Sequence, residues 1–142
     1  MKLHRDFGDF QPFLQKHEQF ESAIRELTEF HQKQSCWIWF FLPNLKKDGQ
    51  SYYSDYFGLH DKEEAILFYQ NQILKMRLFL LFEIIHEKQK KYSTKHVMNG
   101  YVDMMKLKSC VDLFSSIATE DKEKNLLCEI KESIMKEYKK IV

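Results

Sequence analysis

Ser35-Cys36-Trp37-Ile38-Trp39-Phe40-Phe41-Leu42-Pro43-Asn44-Leu45 contains both tryptophans of the chain, and with Phe40 and Phe41 it sets four large aromatic rings within positions 37–41. Side chains alternate across a strand and advance about 100° per residue around a helix. No single face can therefore bury the whole run. It must be enclosed on several sides or line a cavity, and it marks the centre of the fold. Two readings stay open: rings packed as core, or rings walling a ligand site.

Outward from this run the pattern is helical. Four glycines and two prolines among abundant Glu, Lys, Leu and Gln favour helices over the many turns of a β fold. Upstream, Asp9 suits a cap and Pro12 a first turn. Phe13, Phe20, Ile24, Leu27 and Phe30 follow at helical steps, which predicts a helix from about residue 10 to 33. Downstream, Pro43 ends the regular structure of the run and Lys46-Lys47-Asp48-Gly49 reads as a loop. Ser51 can cap a short helix through Tyr56 that stops at Gly58. Asp61 and Glu64 have capping-box spacing, opening a stretch from Lys62 to Lys90 with a break near Asn71. Its expected inward face is Ala65, Tyr69, Ile73, Met76, Leu80 and Ile84. Ser93 can cap a turn ending at Asn99-Gly100. Asp103 then caps a helix burying Leu107, Cys110, Val111, Phe114 and Ile117. The last helix, about 121–141, turns Leu127, Ile130, Ile134, Tyr138 and Ile141 inward. The expectation is an all-α fold in which residues 1–142 form a single compact domain of about six or seven helices in a non-repeating, orthogonal array.

With 142 residues the chain has the length of one domain and needs no disulfide or metal to build a core. Its 22 Lys+Arg against 21 Asp+Glu, net +1, gives no general attraction for nucleic acid or anionic membranes. Cys36, Cys110 and Cys128 are odd in number and lack C-x-x-C spacing, so neither a disulfide framework nor a metal site is expected. The N-terminus lacks the apolar stretch of a signal peptide. The most apolar window, Ile73 to Ile85, is interrupted by Lys75, Arg77 and Glu83 and is too short to span a bilayer. A soluble cytoplasmic protein without a cofactor is expected.

Trp37, Trp39, Phe40, Pro43 and Leu45, then Gly49 and Ser51, then Glu64, Ala65, Leu74, Arg77 and Leu78, and lastly Lys106, Leu107, Ser109, Leu113 and Phe114 form a combined pattern. With Asp9-Phe10-Gln11 and Phe13, it resembles an uncharacterised family of small, mostly bacterial helical proteins, the domain-of-unknown-function family eighteen-ten, over residues 9 to 118. The resemblance implies an all-α fold and no particular activity. Where that family carries histidine before the first tryptophan, this chain has Cys36. Family Gln, Tyr, His, Ser and Thr are replaced by Asn44, Phe57, Asn71, Cys110 and Asp112.

Tryptophans offer flat apolar surfaces with one donor each, suited to stacking a planar ring, while plain core packing is the commoner role of aromatic runs in helical domains. Asp103, Lys106 and Ser109 recur every third residue and make one polar stripe, which a helix cap and a surface ion pair also explain. The resemblance singles out Lys106 and Ser109, and with Arg77, Gly49 and Ser51 they could hold a phosphate or carboxylate. Cys36 lacks the surroundings of a cysteine-protease nucleophile. Gly49-x-Ser51 lacks the remaining features of a phosphate loop. The first functional reading is a small-molecule-binding domain, with or without catalysis. Its pocket joins Trp37 and Trp39 to Arg77 and Lys106, with Ser51, Asp103 and Ser109 orienting a phosphorylated or nucleotide-like ligand. The alternative is a non-catalytic interaction module in which the aromatic run is core and the first or last helix docks a partner or a second copy.

Overall fold

The computed structural model describes residues 4–47 and 51–141, the last by its backbone alone. Its helices are α1 (Gln11–Leu14), α2 (His17–Glu29), α3 (Ile38–Phe41), α4 (Tyr52–Phe57), α5 (Lys62–Gln70), α6 (Gln72–Gln89), α7 (Thr94–Val97), α8 (Tyr101–Ser115) and α9 (Asp121–Ile141). Among the described residues the all-α expectation holds, with nine helices in place of six or seven. The one β-type pairing among them is an isolated parallel bridge between Leu45 and Leu59.

The added helices come from the division of the first long stretch and from the single turn α3 within the aromatic run. The helix expected over 10–33 divides at Gln15-Lys16, because the Arg77 guanidinium accommodates the end of α1 by donating to the Phe13 and Leu14 carbonyls at 3.1 and 3.3 Å. The break expected near Asn71 is present: the Asn71 side chain accepts from the Ile73 and Leu74 amides and restarts the helix as α6. This break resets the helical phase. Ile73, Met76 and Leu80, expected inward, are 49, 52 and 37 % exposed, while Leu74, Arg77, Leu78, Leu81, Phe82 and Ile85 are buried. Phe30, just beyond α2, is also exposed rather than buried.

Several caps fall where the residue types place them: Ser51 accepts from Ser54 N, Asp61 from Glu64 N and Ser93 from His96 N. Asp103 is not a cap. Gly100 begins α8 with φ at 133°, and Asp103 lies in its first turn. The Glu64 carboxylate, buried completely, accepts from Arg5 Nη1 and Nη2 at 3.0 and 2.6 Å and from the Gly8 and His60 amides. It thereby ties the N-terminal segment to α5. At Gly58 an added Cβ would lie 2.4 Å from the Ser54 carbonyl oxygen and 2.7 Å from Lys46 Cα, so only glycine lets segment 44–46 pair against Leu59.

Helix α6 is the central element, packing against α1, α2, α3, α5, α7 and α9, while α8 lies on α9. Phe13, Phe68, Phe82 and Phe114 belong to one continuous core with the aromatic run. The apolar faces of α2 (Ala23, Leu27) and α9 (Leu127, Ile130, Ile134) are turned into this core. Tyr138 is half-buried and stacks on Tyr101.

Candidate functional site

The aromatic run is a single helical turn, α3, held by the loop that precedes it. Glu26 of α2, almost fully buried, accepts from the Gln34 amide at 2.7 Å, the Ser35 amide at 3.0 Å, the Ser35 hydroxyl at 2.6 Å and the Trp37 indole Nε1 at 2.9 Å. Burial pushes this carboxyl up, but the hydrogen bonds from Ser35, Gln34 and Trp37 together outweigh it and hold it below its ordinary value. The loop from α2 to α3 is thus folded around one carboxylate. Trp37, Ile38, Phe40, Phe41 and Leu42 are buried, and Trp39 is half-buried.

Four of the expected site residues meet. Lys33, buried, places Nζ 2.9 Å from Asp103 Oδ2 and 5.4 Å from the Trp37 ring centroid. Lys106 Nζ lies 3.6 Å from Asp103 Oδ1 and 5.9 Å from the Trp39 ring. Asp103 therefore stands between two ammonium groups, each over one tryptophan. Ser109, one turn beyond Lys106, is half-buried and its hydroxyl bonds no described residue. The other expected residues lie apart. Arg77 is buried against α1, bonded to the Phe13 and Leu14 carbonyls and to His17 Nδ1, with its charge over the Phe20 ring at 5.5 Å. Burial lowers its guanidinium pKa from the ordinary value. Ser51 is used as the cap of α4, and Gly49 lies outside the described residues.

On the side of Trp37 facing α2 there is an open cleft of about 380 Å³. Trp37, Phe40 and Tyr53 line its apolar wall, with the Tyr53 and Phe40 rings edge to face at 5.5 Å. Lys16, Glu18, Gln19 and Ser22 line it from the start of α2, and Ser35 and the exposed Cys36 from the loop. Lys16 Nζ stands 4.5 Å from the Phe40 centroid and 5.6 Å from that of Phe57. It has no carboxylate partner among the described residues. Lys106 and Arg77 do not line this cleft. Sequence reasoning missed Lys16, Glu18, Gln19 and Tyr53 because they belong to no motif and lie far from the run in the chain. The available signal was a lysine at the start of a helix whose aromatic partners follow 24 and 41 positions later.

A larger cleft of about 530 Å³ lies between α6 and α9, with Phe79 and Leu126 beside several carboxylates. Much of its charge is already engaged: Glu123 bonds the Tyr69 hydroxyl and Lys75, Glu87 pairs with Lys90, and His86 Nε2 lies 3.0 Å from Glu129. Glu83, Glu120 and Lys122 form no ion pair among the described residues and the buried His86 Nδ1 has no hydrogen-bond partner there, so the smaller cleft is set apart by adjoining the aromatic run rather than by its unpaired charge.

The chain belongs to the family described as Protein of unknown function (DUF1810), whose model matches residues 8–136. That match extends past the expected limit at residue 118 into most of α9. The fold is similar to the crystal structure of a conserved hypothetical protein from Mycobacterium tuberculosis, 26 % identical over 86 % of each chain, with a TM-score of 0.76. No curated protein matches the chain. Among the described residues no helix is long and apolar enough to cross a membrane, and no His, Cys, Asp and Glu grouping could hold a metal ion.

Proposed function

We propose that the chain binds a small anionic molecule with a planar or apolar body in the cleft between the start of α2 and the aromatic run. The observation that carries this reading is Lys16. Its ammonium rests on the Phe40 and Phe57 rings at the edge of the cleft without a carboxylate partner among the described residues. An ammonium partly removed from water over aromatic faces gains from an incoming anion, and Trp37, Phe40 and Tyr53 offer apolar surface to the rest of the ligand. The body of the ligand lies against Trp37, whose ring the Glu26 hydrogen bond holds in place, so little ordering of that ring accompanies binding.

Carboxylates and phosphorylated, nucleotide-like compounds share the required anion. Thermal shift with phenylacetate, inorganic phosphate and adenosine monophosphate, followed by calorimetry on the wild type and Lys16→Met, separates them. Binding is expected to weaken roughly tenfold in Lys16→Met, the scale of one charge-assisted contact. Equal affinity in the two proteins, or no binding of any probe, overturns the reading.

A second reading, a protein-interaction module, is supported by a different surface from the one expected. The exposed Ile73, Met76 and Leu80 form an apolar stripe on α6, whereas the apolar faces of α2 and α9 are in the core.

A further inference from the structure

We infer that the ligand of this cleft is zwitterionic, an α-amino acid held by its carboxylate at Lys16 and by its ammonium group at Glu18. This rests on the cleft being a ligand site and names the ligand's class. Lys16 and Glu18 line the same cleft with opposite charges, yet neither forms an ion pair with the other or with any described residue. Several neighbouring charges elsewhere do pair, Lys33 and Lys106 with Asp103, Lys108 and Lys131 with Asp112, and Lys75 with Glu123, while Glu120 and Lys122 of the larger cleft, also two positions apart, do not pair among the described residues.

The local backbone explains the difference. Lys16 is the N-cap of α2 and Glu18 lies in its first turn, and side chains two positions apart do not face each other. Lys16 is drawn to the Phe40 and Phe57 rings, while Glu18 is stabilised by the helix N-terminus. The two charges line one cleft without cancelling each other. A molecule that carries both opposite charges on adjacent atoms completes both, and its side chain meets Trp37, Phe40 and Tyr53.

Size and charge count agree. A volume of about 380 Å³ lies at the small end of ligand pockets. Lys16 is the one cationic side chain lining the cleft among the described residues. A di- or triphosphate calls on several donors, commonly including arginine, whereas a single carboxylate needs one ammonium.

Calorimetry on the full chain tests this with L-phenylalanine, N-acetyl-L-phenylalanine, L-phenylalaninamide and phenylacetate. The expected result is that L-phenylalanine binds and that blocking either its amine or its carboxylate weakens binding about tenfold or more. Glu18→Gln, a change of one exposed side chain, should weaken L-phenylalanine by a similar factor and leave phenylacetate unaffected. If N-acetyl-L-phenylalanine and phenylacetate match the free amino acid and Glu18→Gln has no effect, the zwitterion is overturned while the anion site stands. If none of these compounds and no phosphate binds, both fall.

Discussion

The Trp37 indole donates to Glu26 Oε1 at 2.9 Å, joining the centre of the aromatic run to a carboxylate that also gathers two backbone amides and a hydroxyl from residues 34–35. This bond fixes which way the ring faces, so the wall of the cleft and the core are set by the same contact. Trp37→Phe should keep most of the packing and leave one buried acceptor site empty, costing about 1–3 kcal/mol. Trp37→Ala should cost about 3–5 kcal/mol. Trp39 is only half-buried, and Trp39→Ala should cost less, about 1–2 kcal/mol. Urea unfolding of the three variants measures the order directly.

Acid should unfold the protein through Glu26 and Glu64. Burial pushes the Glu64 carboxyl up, and its hydrogen bonds from Arg5, Gly8 and His60, with the Arg5 charge, outweigh that and bring it below its ordinary value, as happens at Glu26. The folded state then binds fewer protons than the unfolded chain. The stability these groups supply is fully present above the unfolded carboxylate value of about 4.3 and is lost as pH falls through the lower folded values. Glu64→Gln should cost about 3–5 kcal/mol at neutral pH, because it leaves Arg5 buried without its counter-charge. It should also flatten the acid limb of stability against pH. Unfolding free energies at pH 7, 5, 4 and 3 for parent and variant give both results.

Arg77→Met should destabilise without touching the cleft. The buried guanidinium satisfies the Phe13 and Leu14 carbonyls, and losing both donors should cost about 1–3 kcal/mol. Ligand affinity of the folded protein should be unchanged. A fall in affinity with unchanged stability would return Arg77 to the binding site.

Lys33 and Lys106 share Asp103 but differ in burial, with side-chain exposures of 7 and 37 %. Lys106→Met should change stability by less than about 1 kcal/mol, the range of solvated pairs. Lys33→Met should cost about 2–4 kcal/mol, since it strips the nearer counter-charge from a half-buried carboxylate. Equal losses in the two variants would mean that Asp103 does not distinguish its partners.

Much of the fold was legible because its signals are local. Ser51, Asp61 and Ser93 cap helices through their own side chains, and Pro12 lies in the first turn of α1. The buried run at Trp37 followed from its composition alone. What was not legible depends on the size of a phase shift at a helix break and on contacts between distant segments. The inward face of α6 was misplaced because one face was carried straight through the expected break at Asn71, which shifts the helical phase, so that Ile73, Met76 and Leu80 turn outward and Leu74, Leu78 and Leu81 inward. Arg77 looked like a ligand group because it belongs to the pattern that carries the family resemblance, together with Lys106 and Ser109, yet its partners are carbonyls 63 and 64 positions away. Asp103, Lys106 and the two tryptophans do converge, whereas the cleft on the other side of Trp37 arises only when α2 and α4 pack beside the run.

The placement of the ligand is tested most directly by the reactivity of Cys36, which lines the cleft. Cys128 is also exposed, away on α9, and Cys110 is buried. Iodoacetamide labelling followed by mass spectrometry gives separate rates for the two exposed thiols, with and without L-phenylalanine, phenylacetate or adenosine monophosphate. A probe held at about ten times its Kd occupies roughly nine-tenths of the sites, so a ligand in the cleft should slow Cys36 about tenfold and leave Cys128 unchanged. An unaltered Cys36 rate with a probe that calorimetry shows to be bound would place the ligand elsewhere and contradict the account.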